Sequence, residues 1–543
     1  MGAALRIGSR HDTATPAAPP TPRPEPLRGA DARPGAGALG RAVAGALAAA
    51  ALYTLACPPH EWSLLAWLVP GLLLVAVRRL GIVRALACGA LFGVAIGYGI
   101  TGWAFHAALE YFAFNRPLTA GFVLAVWLFY SGVPNALLCA AYVGLAERVP
   151  GWARGPLGAW LWVVMEWLRS TLGTGMPWEL LGHTQFRHLT IVQIADLGGV
   201  YAVSFVMALA SVAGAELLGE GRAMGRARPW RARLALPAAV FLATCAYGAY
   251  TRRLYAASPE GHAGRTVAVV QGNIPNAFRW KQAFFERMLA TYAGLSGAAR
   301  GERPDVIVWP ENAANFYLNR EPMLLAELAP TAALAREGLL VGGPRLTEGG
   351  EARNAAYLIG PAGTILGTYD KQRLVPLAEY DPRRRAQAPR ASEPVYTAGA
   401  EGRLLETGAT RIGAVICYEV LFPHLVRDLV RKGAEVLVNI SNDSWLDGGD
   451  GAAPRQHFSM AVFRAIETRR FLVRAAATGV SGFVAPSGET YASLAPHTAG
   501  TSMARVGIRR GQTVYVRWGE RWIGLAGVVL ALAVLLDGRR RAR

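Results

Sequence analysis

Lysine is nearly absent from this chain of 543 residues: Lys281, Lys371 and Lys432 are the only three among 56 basic residues. The arginine-, alanine- and glycine-rich remainder has the look of GC-biased coding, so single arginines need no functional reading, whereas a lysine stands out. Charge as a whole is also scarce, at 17% against a usual ~25%, while 52% of the residues are hydrophobic. Disorder over most of the length is excluded, and the imbalance is concentrated in long runs, as in a membrane protein with one polar insert. Cysteine is sparse too. Cys57, Cys88, Cys139 and Cys245 fall in or beside hydrophobic runs, where the residue is usually a small buried hydrophobe. Cys417 is alone in the insert, which therefore holds no internal disulfide and no cysteine pair with metal-ligand spacing.

Runs long enough to cross ~30 Å of hydrocarbon stand at roughly 38–56, 62–77, 85–105, 118–146, 155–172, 192–218, 233–250 and 521–537, predicting eight transmembrane helices. Twenty arginines, from Arg6 in the leading tail to Arg543 at the end, lie in alternate connections, and the opposite short connections contain only Arg116, Arg169 and Arg187. The positive-inside rule then places both termini in the cytoplasm and the polar insert outside. A net charge of +19 distributed in this way gives no support to nucleic-acid binding. The expected organisation is a disordered tail over 1–37, seven helices over 38–250, an extracytoplasmic domain over 251–519, and an eighth helix with a basic tail over 520–543. The tail, rich in proline, alanine, glycine and arginine, reads as an uncleaved anchor's preface, and Leu55-Ala56-Cys57 only faintly suggests a lipoprotein cleavage box.

From about 264 to 505 short β-rich runs alternate with amphipathic stretches. Strands are expected at 266–273, 306–309, 339–342, 356–359, 412–417, 436–440 and 482–484, and helices at 280–299, 323–337, 422–432 and 455–471. That alternation predicts a layered α/β domain. Three segments carry chemistry. V-I-V-W-P-E-N puts Glu311 just past a buried strand, where a carboxylate is also an ordinary helix cap. T-Y-D-K-Q-R-L-V-P-L-A-E-Y contains Lys371 and Glu379, a charged hairpin exit in its bland reading. I-G-A-V-I-C-Y-E ends a hydrophobic strand in Cys417, Tyr418 and Glu419, where a cysteine can equally be core filling.

These residue types suit one another. A thiol with a free pKa of ~8.5 needs a base or cation to become a nucleophile, a carboxylate can take its proton, and an ammonium can hold the charge on an attacked carbonyl oxygen. No histidine lies in the three segments, which argues against a Cys-His pair; His457, in the later P-R-Q-H-F-S-M stretch, suits a structural or positioning use.

Glu311, Lys371 and Cys417, in that order, resemble the Glu-Lys-Cys triad of the nitrilase superfamily, whose fold is an α-β-β-α sandwich. With eight hydrophobic runs and the domain inserted before the last, the chain is similar to the bacterial apolipoprotein N-acyltransferases. V-V-Q-G-N-I-P followed by Trp280, N-D-S-W-L, Q-H-F-S-M and the G-M-P-W ending in Trp178 agree; A-A-T-G-V-S around Thr478 departs from the family's pattern.

The resemblance implies transfer of an acyl chain from a phospholipid, through a Cys417 thioester, to the α-amine of a diacylglyceryl apolipoprotein. Glu311 is then the base and Lys371 the oxyanion holder, with Glu379, Tyr418 and Glu419 supporting them. Trp280 and Trp178 are candidates for contact with substrate, and Phe278, Phe316 and Tyr317 for lining an acyl entrance. It implies no metal or other cofactor, no nucleic acid, a monomer, and a multi-pass place in the bacterial cytoplasmic membrane. The alternatives are a membrane-tethered nitrilase-type amidohydrolase with water as acceptor and, outside enzymology, a transporter or scaffold, for which Glu166 within a hydrophobic run would be the signature.

Overall fold

The computed structural model describes residues 36–112, 115–221, 230–256, 264–274, 284–380, 395–446 and 451–542. Trp280 and Phe278, and nearly all of the leading tail, lie outside them.

Among the described residues, six helices are long and apolar enough to cross a membrane: Gly37–Ala56, Ile82–Thr101, Arg116–Ala146, Val200–Leu218, Leu234–Tyr255 and Arg521–Arg539. The expected count of eight is not reached on that measure, for two physical reasons. The run at 62–77 is a 3-10 segment, Ser63–Leu68, feeding a helix of only nine residues, Val69–Val77. The run at 155–172 does form a helix, Arg154–Thr171, but it contains Arg154, Glu166 and Arg169, and the last two are buried within the protein. The run at 192–218 is also broken, at Gly199, whose φ of +70° ends the turn Ala195–Gly198 before Val200–Gly221 begins. Small residues let the helices cross closely: a Cβ on Gly93 would strike the carbonyl of Ser131 on the neighbouring helix. Asn115 starts the third long helix, its side chain accepting the Leu118 N–H at 2.9 Å.

The inserted domain is two six-stranded sheets. One runs in the order β12-β1-β2-β3-β4-β5 and the other β11-β10-β9-β8-β7-β6. The strands of the first are β1 (Gly264–Gln271), β2 (Val306–Val308), β3 (Gly338–Leu346), β4 (Ala352–Ile359), β5 (Ile365–Asp370) and β12 (Gly500–Gly507). The second contains β6 (Leu405–Glu406), β7 (Arg411–Ile416), β8 (Val436–Ser441), β9 (Leu472–Ala476), β10 (Ser481–Val484) and β11 (Thr490–Leu494). Each sheet is parallel at its centre, β1-β2-β3 and β7-β8-β9, and antiparallel at its flanks.

Period-two side-chain alternation sorts the faces. Ala268, Val270, Ile307, Leu339 and Val341 point outward into a core shared with helices Phe285–Ser296 and Pro322–Ala332. Val267, Val269, Val306, Val308 and Leu340 point inward, into the core that includes the second sheet. Helices Pro423–Arg431 and Ala452–Thr468 pack on that second sheet, completing an α-β-β-α sandwich. The residues following β2 and β7 meet at one end of the sandwich, at the carboxyl ends of these strands, where ligand sites of parallel sheets collect.

Candidate active site

Glu311 follows β2 through Trp309 and Pro310. Trp309 extends the sheet by donating its N–H to Leu340 O at 2.8 Å, and its indole donates to Ser296 Oγ at 2.9 Å, so the turn is anchored on both sides. At Gly342 of β3 a Cβ would lie 2.6 Å from Glu311 Cα, so only glycine lets the two main chains meet. Lys371 follows β5. Cys417 follows β7 with φ +49°, a left-handed conformation that a non-glycine residue holds only when its surroundings impose it.

These three chain ends converge. Lys371 Nζ lies 3.0 Å from Glu311 Oε1 and 2.9 Å from Glu379 Oε1. The Asn354 amide donates to the same two oxygens, at 2.7 Å each, and the main-chain N–H groups of Asn442 and Val375 donate to the other oxygens of Glu311 and Glu379. Cys417 completes the wall of a small cavity with Glu311, Lys371, Glu379, Val375, Ala378 and Trp445. Burial alone would pull the Lys371 ammonium down, but Glu311 and Glu379 overcome it and hold the group well above the usual lysine range. The Cys417 thiol is pushed up, first by burial and then by the negative charge of Glu311, with Lys371 opposing. The thiol is therefore protonated at rest, and ionising it requires its proton to be handed to a neighbour.

Glu419 is fully buried beneath Cys417. Its carboxylate accepts the N–H groups of Ile416, Gln372 and Arg373 and the Tyr369 hydroxyl, tying the end of β7 to the loop that carries Lys371. Burial raises its pKa to about 7. Tyr418 turns the other way, toward the membrane helices, and donates its hydroxyl to Gly175 O at 3.1 Å.

A larger cavity of about 240 Å³ opens from Cys417 and Tyr418. Catalytic-domain residues Leu377, Trp445 and His457 form one wall, and Ala104, Ala107, Phe122 and Val126 of the membrane helices form the other. Trp178 lines it, stacked on the His457 ring with centroids 5.7 Å apart. Trp178 and Trp103 both donate their indole N–H to Gln456 Oε1, while Gln456 Nε2 donates to Pro58 O and Ile100 O. One glutamine thus pins the catalytic helix to the membrane helices.

Of the residues singled out from the sequence, the structure brings Glu311, Lys371, Glu379 and Cys417 to one cavity and Tyr418 and Trp178 to the next, with Glu419 beneath them. Phe316 corrects the expected acyl entrance: it is buried in the outer core against Phe285, because its Cβ faces the covering helix and not the cavity. Tyr317 is not among the cavity-lining residues either. Trp280 lies outside the described residues. Asn354 and Gln456 were missed as site residues; the signal for Asn354 was an amide at the head of the apolar run A-A-Y-L-I.

His457, for which a structural or positioning use was expected, lies against the Cys417 main chain. Its Nε2 lies 3.2 Å from the Cys417 carbonyl oxygen, and its Nδ1 lies 3.0 Å from both Asp443 Oδ1 and Arg474 Nη2, so the ring is held on both edges. Cys417, Asp443 and His457 have metal-ligand spacing, yet the Arg474 guanidinium, 2.9 Å from Asp443 Oδ2, already supplies the cation there.

Two family models match: "Apolipoprotein N-acyltransferase N-terminal domain" over residues 49–213 and "Carbon-nitrogen hydrolase" over residues 266–514. The apolipoprotein N-acyltransferase of Geobacter metallireducens is 36% identical over 89% of this chain and 93% of its own length. Those of Pseudomonas paraeruginosa and Azotobacter vinelandii are each 32% identical, over 91% and 92% of this chain and 95% of their own lengths. The chain belongs to the apolipoprotein N-acyltransferase family. As a member it is an acyltransferase with a nitrilase-like catalytic domain joined to a bundle of apolar helices, as the triad order and the hydrophobic runs implied.

Proposed function

We propose that this enzyme moves a fatty acyl group from a phospholipid to the α-amine of the diacylglyceryl-cysteine of an apolipoprotein, as a monomer at the extracytoplasmic face of the bacterial cytoplasmic membrane. The observation that carries the lipid part is the cavity: it begins at Cys417 and continues between apolar membrane helices, so an acyl chain can reach the thiol without leaving an apolar environment. Extraction of such a chain into water costs ~0.8 kcal/mol per CH₂, which a site built into the membrane surface avoids. The asymmetric arginine distribution supports the orientation, and the proposed boundaries remain 38–250 for the membrane domain, 251–519 for the catalytic domain and 520–543 for the last helix and tail.

In the first half-reaction Glu311 takes the Cys417 proton while sulfur attacks the ester carbonyl. Lys371 Nζ and the Tyr418 main-chain N–H hold the oxyanion. The C–O bond breaks, and the lysophospholipid leaves as an alcohol with the proton returned by Glu311. In the second half-reaction the amine attacks the thioester, Glu311 takes its proton, the C–S bond breaks, and the proton returns to the Cys417 thiolate. Glu379 fixes the ammonium that both steps use, Glu419 fixes the peptide carrying the nucleophile, and Trp178 forms part of the lipid-facing wall. Two substrates sharing one acyl-enzyme give ping-pong kinetics.

The test is mass spectrometry of a diacylglyceryl lipopeptide after exposure to purified enzyme and phospholipid. An added amide-linked acyl chain supports transfer; release of free fatty acid with the peptide unchanged would show hydrolysis instead.

A further inference from the structure

A separate cavity of about 630 Å³ opens between the catalytic domain and the membrane helices, sharing no lining residue with the two catalytic cavities. Its wall is basic. Arg469, Arg470, Arg509, Arg510 and Arg517 stand around it, and Asp196 is the only carboxylate among its described lining residues. Arg469 is occupied by that aspartate at 2.7 Å and by Gln193. Arg510 is held by Glu435 at 2.6 Å. The other three differ. Among the described residues the buried Arg470 guanidinium bonds only main-chain carbonyls, those of Ala434, Thr468, Arg469 and Gly511, so its charge has no bonded counter-ion. Burial and the nearby charge of Arg509 pull it down to about 10. Arg509 lies over the Tyr255 ring at 5.0 Å, and its Nε is buried with no hydrogen-bond partner among the described residues. Arg517 is exposed on the short helix Val514–Trp518.

The position of the cavity points to its occupant. Tyr247 and Tyr255 come from the end of the helix Trp230–Tyr255 that meets the catalytic domain, and residues 513–517 lead into the last helix, Arg521–Ala542. Val514 and Trp518 are exposed beside it, Trp518 by 62%. Tyrosine and tryptophan at the ends of membrane helices sit at headgroup depth. The arginines therefore stand at the phosphate level of the leaflet that faces the catalytic domain.

We propose that this cavity seats the phosphate of an anionic phospholipid headgroup, with Arg509 and Arg517 as its donors and Arg470 adding charge behind them. The guanidinium fork matches phosphate oxygens, and surplus positive charge at that depth attracts anionic lipid over zwitterionic lipid. Arg469 and Arg470 directly follow the helix Ala452–Thr468, whose early turns hold Gln456 and His457 roughly 16 Å away along its axis. An occupied seat ties that catalytic helix to the leaflet beneath it.

The test uses the full chain in mild detergent, in a Cys417→Ala background so that no lipid is consumed, with native mass spectrometry during titration by phosphatidylglycerol, phosphatidylcholine or inorganic phosphate. Arg517→Gln changes an exposed side chain, and Arg509→Gln/Arg517→Gln removes both donors. The expected result is a phosphatidylglycerol adduct that needs at least about tenfold more lipid in the double variant, with the single variant between, and phosphatidylcholine retention unchanged. Equal phosphatidylglycerol retention in all three proteins would overturn the proposal, as would an equal loss of phosphatidylcholine. Inorganic phosphate binding that depends on the two arginines, without any dependence of phosphatidylglycerol on them, would assign the seat to a free anion and overturn the lipid.

Discussion

Lys371 Nζ lies 3.0 Å from Glu311 Oε1, and the same ammonium lies 2.9 Å from Glu379 Oε1. With the lysine only 1% exposed, one positive charge neutralises two carboxylates that have little water to turn to. Lys371→Met keeps the length of the side chain and removes the charge. It leaves the buried Glu311 and the partly buried Glu379 carboxylates facing each other, so it should destabilise the catalytic domain by about 3–5 kcal/mol as well as abolish acyl transfer. Thermal unfolding followed by tryptophan fluorescence, together with single-turnover assays, checks both. A variant of wild-type stability would mean the trio carries no such strain.

Glu311→Gln separates two effects of one charge. The Cys417 thiol is raised by burial and then by Glu311, so replacing that carboxylate with an amide lowers the thiol pKa. Alkylation of Cys417 by iodoacetamide should then show its inflection at lower pH than in wild type, while acyl-enzyme formation falls by about 10²–10⁴-fold for want of a base. The same raised pKa fixes a stability window in wild type. Below the ordinary thiol pKa of ~8.5 the thiol is protonated folded or unfolded and its contribution is fully present; that contribution is lost as pH rises above it. An inflection that stays put or moves upward in Glu311→Gln would contradict the assigned geometry.

Asn354→Asp tests the amide that spans the two carboxylates. Its Nδ2 donates to Glu311 and Glu379 at 2.7 Å each, and an aspartate would set oxygen against oxygen at both. The expected outcome is a fall in kcat of about 10–100-fold at neutral pH, partly recovered at lower pH as the new carboxyl takes a proton. Loss at neutral pH with no recovery on acidification would point to a packing effect instead.

How far this site was legible in the sequence depended on where each residue fell. Glu311 and Cys417 each follow a hydrophobic strand, whereas Lys371 stands out because lysine is so rare in this chain. Strands near 306, 339, 356, 412 and 436 were visible because their runs are apolar and bounded by turns. β5 and β11 were not, since Ile365–Asp370 and Thr490–Leu494 lie at the ends of their sheets, are mostly only partly buried or exposed, and lack a continuous apolar run. The helix expected over 455–471 stops at Thr468: Arg469 takes a left-handed φ of +52°, and β9 follows immediately without a glycine or proline to announce it. Asn354 and Gln456 became meaningful only through partners 43 and 398 residues away in sequence.

Glu419→Gln should act on positioning. Both carboxylate oxygens accept main-chain N–H groups, from Ile416 on one side and Gln372 and Arg373 on the other, so an amide NH₂ meets a donor in either orientation. An unmet buried donor costs about 1–3 kcal/mol, and the Cys417 turn loosens. Steady-state kinetics should show kcat reduced with KM for phospholipid little changed. A rise in KM alone would place Glu419 in lipid binding.

The central claim is that the Cys417 sulfur carries the acyl group between two lipids. Intact-protein mass spectrometry after rapid acid quenching, with purified enzyme and phospholipid but no acceptor, measures that directly. The account predicts one added acyl mass, located on Cys417, discharged by a diacylglyceryl lipopeptide and absent in Cys417→Ala. Acyl transfer to the lipopeptide by Cys417→Ala, or wild-type turnover with no acyl mass on Cys417 at any quench time, would contradict it.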